Sequence, residues 1–383
     1  MSILIALVMI LAAVILGLVA FTARTARKVE AALPARGKFM QIGSERIHYV
    51  DSGGTGPALV MIHGLGGNLM HFTYAIADKL ATDFRVIVVD RPGCGHSVRP
   101  DGASADLTAQ ASTLAKFIRA LDVERPLLVG HSLGGALSIA IALDHPDCAG
   151  ALALIAPLTH VPEKVPDMFK GLVIQSDLQR KVIAWTLATP LGIRHGQQML
   201  QAVFAPEPVP ADFPFRAGGL LGLRPKAFFS TSLDAVSVEN VLPNYVSRYD
   251  SLNLPMGMLF ARGDEVLNYR AQGEAMKAAY PALDLRSDGR RPHAADDRAR
   301  SLCRVDPPRR RAAAGGGARG VMPPLLRLAL LHDIQLHLRD ALPHHTQRFG
   351  SGVGDIDDAA MNIGAAIVDP HRDRAPGGDV GHA

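Results

Sequence analysis

Gly130-His131-Ser132-Leu133-Gly134 stands between a short apolar run at 126–129 and a run of small and apolar residues at 136–143. The first run has the length of a buried strand, the second the length and composition of a buried helix. Joining them within a few residues requires a sharp turn. It forces the central serine into a backbone conformation that side chains seldom adopt, and leaves its hydroxyl exposed. Only glycines on either side, Gly130 and Gly134, leave room for it. An ordinary glycine-rich loop would need neither the strand before it nor the helix after it. The pattern therefore reads as a nucleophile elbow, with Ser132 as the candidate nucleophile.

Upstream, Ala58–Ile62 reads as another buried strand and runs into His63-Gly64-Leu65-Gly66-Gly67-Asn68. Such a loop can supply backbone N–H groups to the oxyanion that forms when a nucleophile adds to a carbonyl, with no side chain having to move. The candidate donors are the amides of Leu65 and Leu133, the latter following the nucleophile directly. Gly64 is the first glycine of this motif. A phosphate-cradling loop is disfavoured, because no Gly-Lys-Ser/Thr follows and the GxGxxG spacing is absent.

A third apolar run, Arg85–Val89, is followed by Asp90-Arg91-Pro92-Gly93-Cys94-Gly95-His96-Ser97. With these three stretches and the Ala261-Arg-Gly-Asp-Glu-Val-Leu-Asn268 stretch in this order, the chain resembles the α/β-hydrolase superfamily from about Lys38 to about Arg286. The resemblance is to its cap-bearing branch of serine esterases, lipases, C–C bond hydrolases and cofactor-free haloperoxidases. It implies an α/β fold, a mostly parallel sheet with helices on both faces, and a helical cap. It also implies that Cys94, His96 and Ser97 belong to a structural turn at the sheet's carboxyl edge. His63 and His131 are likewise motif neighbours without a catalytic role.

A serine nucleophile needs a base, and the base needs a carboxylate to orient it, in the chain order Ser, acid, His. Residues 256–262 read as a strand, and Asp264 follows at its carboxyl end, which is the position of the acid in the resembled family. Glu265 is the adjacent alternative, aimed away by alternation. The histidine would follow a last strand at 283–286, and His293 is the candidate at that spacing. Its surroundings, Asp288-Gly-Arg-Arg-Pro-His-Ala-Ala-Asp-Asp297, lack the family's Gly-x-Gly-His turn.

Composition changes at the same place. No lysine follows Lys277 and no tyrosine follows Tyr280, while arginine becomes dense and a Gly315-Gly316-Gly317 run appears. Arg, Ala, Gly, Pro and His dominate translations of a GC-rich gene in the wrong frame. Read one base forward, codons compatible with 292–301 can spell His-Met-Leu-Pro-Met-Thr-Ala-Pro-Asp-Arg, which resembles the family's catalytic histidine turn. The sequence therefore predicts a one-base frame change between about Ser287 and Pro292. The rival reading is a natural extension with a functional tail. Within that tail, 325–342 has helical apolar spacing and carries His332 and His337, with His344 and His345 beyond. No cysteine or carboxylate completes a metal set. Arg309-Arg310-Arg311 lacks the aromatic interleaving of a nucleic-acid surface.

At the other end, 3–21 is an uncharged apolar run of about 19 residues, close to the roughly 20 that cross a bilayer as a helix. Its basic residues, Arg24, Arg27 and Lys28, come after the run, and no small-x-small exit is present. This favours an uncleaved anchor over a signal peptide. The positive-inside rule would then hold the rest of the chain on the cytoplasmic side of a bacterial-type inner or plasma membrane. The expected organisation is an anchor at 1–23, a linker at 24–37, core at 38–157, a helical cap at 158–249, core again at 250–293, and the atypical tail at 294–383. In the first core segment, 107–121 reads as a helix with Asp106 as its N-cap. In the cap, 168–174 and 182–191 read as helical, with Trp185 and Phe228-Phe229 supplying apolar bulk.

Three cysteines, Cys94, Cys148 and Cys303, give neither a disulfide framework nor a zinc site. The formal net charge of +4 points to no particular partner. The expected chemistry is acyl transfer from an apolar, lipid-like ester through Ser132, His293 and Asp264, without metal or organic cofactor. A C–C bond hydrolase or perhydrolase on the same triad is the alternative, as is a chain impaired by its altered ending. Serine rather than aspartate at 132 disfavours dehalogenase and epoxide hydrolase chemistry.

Overall fold

The computed structural model describes residues 1–205, 208–264 and 266–287. Within them lies one eight-stranded sheet, in the order β1-β2-β4-β3-β5-β6-β7-β8. β1 (Lys38–Ile42) and β2 (Glu45–Asp51) form an antiparallel hairpin, and β2 also runs antiparallel to β4 (Arg85–Val89). Every remaining pairing is parallel, through β3 (Ala58–Ile62), β5 (Leu127–His131), β6 (Ala151–Ile155), β7 (Met256–Phe260) and β8 (Asp284–Ser287).

The central strands are continuous apolar runs because both of their faces are covered. Val60, Ile62, Ile87, Val89, Leu128 and Leu154 point into one core, with α4 (Leu107–Ala120) and α5 (Leu133–Asp144). Leu59, Met61, Val86, Val88, Val129 and Ala153 point into the other, with α2 (Met70–Ala75) and α3 (Ala77–Leu80). Asp106 caps α4 by accepting from the Ala109 N–H at 2.7 Å, as its residue type predicted. The strand order reverses between β3 and β5. The crevice beyond the carboxyl ends of strands at such a switch point is where open α/β sheets take ligands. Ile62 pairs with Gly130, so the loops after these two strands emerge side by side.

Between β6 and β7 the chain builds a helical layer. A 3-10 turn at Asp167–Leu172 leads to α6 (Asp177–Thr186), α7 (Ala188–Phe204), α8 (Phe213–Arg216), a second 3-10 turn at Gly219–Leu223, and α9 (Pro225–Val246). The helix expected over 168–174 is only that first 3-10 turn, which ends at Leu172. The helix expected over 182–191 is divided at Leu187. Pro190 has no N–H for the Thr186 carbonyl and can sit only in the first turn of a new helix. After β7, α10 (Ala275–Ala279) returns the chain to β8.

α1 (Ser2–Ala32) corrects the expected linker at 24–37. Ala, Arg, Lys and Glu are good helix formers, so the charges that end the apolar run do not end the helix. It stops where Pro34 bars Leu33 from helical geometry. An 18-residue window of α1 has mean hydropathy 3.2 and none of it is buried. The buried residues Thr22, Thr25 and Val29 fall in the last third. Val29 and Leu33 pack on Leu220 and Leu221 of the helical layer, and Glu30 faces Arg224 at 3.5 Å.

Candidate active site

Ser132 sits at the junction of β5 and α5 with φ 52° and ψ −120°, a left-handed conformation that is strained for any residue with a Cβ. Its neighbours hold it there. The Ser132 N–H donates to the Ile155 carbonyl at 3.0 Å, and the Ser132 carbonyl accepts from the N–H groups of Leu158 at 3.0 Å and Gly135 at 2.8 Å.

The flanking glycines are required by space. A Cβ on Gly134 would lie 2.0 Å from the Ile62 carbonyl oxygen, and one on Gly130 would lie 2.5 Å from that of Gly134. On Gly64 it would meet the Ser132 Cβ at 3.0 Å, so the loop after β3 lies directly against Ser132. Because both obstacles to Gly134 are backbone, Gly134→Ala is expected to cost about 3 kcal/mol. A lowered thermal midpoint of the detergent-solubilised chain, with little soluble expression, is the corresponding measurement.

Arg91 shapes the loop from beneath. It is wholly buried, and its Nε and Nη2 donate to the carbonyls of His63 and Gly64, each at 3.1 Å. In a trans peptide the C=O and the following N–H point in opposite directions. With the Gly64 carbonyl held on Arg91, the Leu65 N–H is turned away from it. Leu133 is the first residue of α5, so its N–H has no acceptor within the helix. Arg91 Nη1 reaches both the core and the cap, donating to Gln110 Oε1 of α4 at 2.9 Å and to Asp234 Oδ2 of α9 at 2.8 Å. Asp234, on α9, also accepts from Arg99 Nη1 at 2.9 Å. This buried cluster was missed in the sequence, where Asp234 is one acid among the apolar residues of α9.

His63 is fully buried between two backbone partners. Its Nδ1 lies 2.9 Å from the Gly64 carbonyl and its Nε2 lies 3.1 Å from the Arg91 N–H, which assigns a neutral ring protonated on Nδ1. Burial, with Arg91 beside it, lowers its pKa from 6.5 to about 3. Folded, the ring stays neutral far below the pH at which the unfolded chain protonates it. Its contribution to stability is therefore complete above pH 6.5 and is lost as pH falls from 6.5 towards 3. The loss approaches about 1.4 kcal/mol per pH unit within that window. A thermal midpoint that drops on acidification below about pH 6, with a shallower slope in His63→Asn, is the expected result.

The DRPGCGHS segment is a structural turn. Asp90 accepts from the N–H groups of Leu69 and His96 and pairs with His48 Nδ1 at 2.7 Å, and the Ser97 hydroxyl donates to the Asp90 carbonyl. Burial pushes the Cys94 thiol up to about 12, which leaves it un-ionised.

Asp264 lies beyond β7, half-buried, where its Oδ1 accepts from the N–H groups of Val266 and Leu267, both at 2.8 Å. Two backbone donors fix the carboxylate's orientation. Desolvation lowers the pKa of the His131 imidazole, next to Ser132, and the negative charge of Asp264 works against that lowering. The structure thus brings Ser132, Leu133, Gly64, Leu65 and Asp264 to one edge of the sheet. His293, the alternative acid Glu265 and the tail histidines lie outside the described residues. Among the described residues no three His, Cys, Asp or Glu side chains gather as a metal site.

Comparison with known proteins agrees with this architecture. The family model for the alpha/beta hydrolase fold matches residues 57–264. A fluoroacetate dehalogenase from Burkholderia sp is 38% identical over 122 residues, 31% of this chain and 40% of that protein. A 2-hydroxy-6-oxononadienedioate/2-hydroxy-6-oxononatrienedioate hydrolase from Paraburkholderia phymatum is 34% identical over 163 residues, 41% of this chain and 56% of that protein. The chain thus spans about half the length of the curated relatives it matches. Among solved structures, a membrane phospholipase A described as a bacterial virulence factor is similar with a TM-score of 0.51 and 26% identity, over 75% of this chain and 90% of that one.

Proposed function

Because the chain belongs to the alpha/beta hydrolase fold family, we propose that it is a hydrolase, a membrane-anchored serine hydrolase that cleaves carboxylic esters with apolar acyl groups. The observation that carries this reading is Ser132, held at φ 52° on the strand-to-helix elbow with the Gly64 loop against it. A hydroxyl so presented attacks the ester carbonyl while a histidine takes its proton. His293 is the candidate in the chain as it stands, and the histidine of the shifted-frame decapeptide is the candidate in a restored one. Asp264 orients that imidazole and stabilises its charged form. The oxyanion accepts from the Leu65 and Leu133 amides, the alcohol leaves with the imidazolium's proton, and water resolves the acyl enzyme.

The apolar acyl class is supported by the exposed apolar face of α1, by the apolar cap, and by the likeness to a membrane phospholipase A. By the positive-inside rule, the basic residues Arg24, Arg27 and Lys28 after the apolar run favour the cytoplasmic face for the catalytic domain. A second reading, C–C bond hydrolysis on the same triad, is favoured by the relative from Paraburkholderia phymatum. The test is hydrolysis of p-nitrophenyl esters of short and medium chain length by the full chain with its ending rebuilt from residue 292 in the shifted frame, with Ser132→Ala and Asp264→Ala made in that chain. Turnover lost in both variants supports the triad, and turnover unchanged in Ser132→Ala defeats it. Cleavage of a vinylogous 1,5-diketone faster than of any ester would favour the second reading.

A further inference from the structure

Helix α6 is built inside out for a helix bathed in water. Its charged Arg180 is the wholly buried side chain, donating to Ser232 Oγ at 3.0 Å and paired with Asp177, with Ala184 one turn further on the same inner face. Leu178, Val182 and Trp185, spaced to share the opposite face, are 73%, 53% and 45% exposed. α7 continues the pattern with Leu191, Met199 and Val203 outward, and it contains no carboxylate. Soluble monomers rarely leave so continuous an apolar surface in water.

Its position says what covers it. α1 packs on α6, on α7 and on the 3-10 turn between α8 and α9, and the residues of α1 that are buried lie between Thr22 and Val29. That stretch begins directly after the apolar run and extends about 10 Å beyond it at the helical rise. An anchor crossing the hydrocarbon with residues 3–21 therefore places α6 and α7 at the depth of the headgroups. A helix lying there buries its apolar face about 5–10 Å into the boundary. Arg24 and Arg27 on α1 and Arg194 on α7 add positive charge suited to anionic headgroups, while Lys181 on α6 is paired with Asp101 at 2.8 Å.

We propose that the outward face of α6 and α7 is a second membrane contact, embedded in the phospholipid surface beside the anchor, so that the cap lies on the bilayer from which an apolar ester would be drawn. This deepens the membrane-anchored reading and rests on it. The pinning of α1 by Glu30 to Arg224, and of Arg224 to the Gly95 carbonyl, fixes the catalytic domain to the anchor instead of leaving it on a tether.

Trp185 is the chain's single tryptophan and lies on the proposed face, so the full chain carries its own probe. The chain is reconstituted in vesicles of phosphatidylcholine and phosphatidylglycerol, with or without bromine on the phosphatidylcholine acyl chains. Resistance to carbonate extraction tests the anchor, and tryptophan emission tests the contact. The expected result is carbonate resistance, an emission lowered about twofold by brominated lipid, and little quenching by aqueous iodide. Carbonate resistance with iodide quenching and no bromolipid quenching would leave the anchor standing and overturn the contact. Protection from both quenchers would also overturn it, by showing that protein, such as a second copy of this chain, covers the face. Release by carbonate would overturn the anchor and the contact together.

Discussion

Rebuilding the chain from residue 292 onward in the shifted frame is expected to raise kcat/KM for p-nitrophenyl butyrate by at least ~10³-fold over the chain as it stands. Members of a catalytic triad act as a unit. A serine without its base loses nearly all the acceleration the triad gives, leaving only the contribution of oxyanion donors and binding. The elbow, the loop on Arg91 and the Asp264 carboxylate are all assembled in residues 1–287, so supplying a histidine on its proper turn completes what is already positioned. Ser132→Ala in the rebuilt chain should remove that gain, returning the rate to within about tenfold of the chain as it stands. If the chain as it stands already matches the rebuilt one, and His293→Ala silences it, the ending is functional and the frame-change proposal falls.

How much of this was legible depends on what each residue had to satisfy. The central strands were readable to within a residue or two because a strand covered on both faces must be apolar throughout, as in Ala58–Ile62 and Arg85–Val89. The elbow was readable because its glycines answer to steric walls that nothing larger survives. The end of α1 was not, because hydropathy reports where a lipid-like stretch stops and says nothing of where helical geometry stops. The division of the cap at Leu187 required weighing Pro190 against a continuous apolar period. Least legible was the partnership of Asp234 with Arg91 and Arg99, since long-range ion pairs leave no period in the sequence. It joins the turn that holds the Gly64 loop to a cap helix 143 positions later.

That partnership yields the largest stability effect expected in the molecule. Asp234→Ala should destabilise the fold by about 3–5 kcal/mol, because it removes the carboxylate to which the buried guanidinium groups of Arg91 and Arg99 both donate. Asp234 is 1% exposed, and Arg91 and Arg99 have side chains 0% and 3% exposed, so water cannot replace the carboxylate without the cap lifting. For a chain of this size the change corresponds to a thermal midpoint lower by roughly 10 °C. The double variant Asp234→Ala with Arg99→Met should be less damaged than the single one, since it removes one of the stranded charges and keeps the volume filled. Activity should fall further than unfolding alone explains. With Asp234 gone, Arg91 can swing from the His63 and Gly64 carbonyls, and the Leu65 amide then loses the orientation that the Gly64 peptide imposes on it. The signature is a kcat loss with KM little changed at temperatures where the variant remains folded. A midpoint within about 2 °C of the parent would show that the cluster is hydrated or dispensable, and with it that the cap is not held down by these charges.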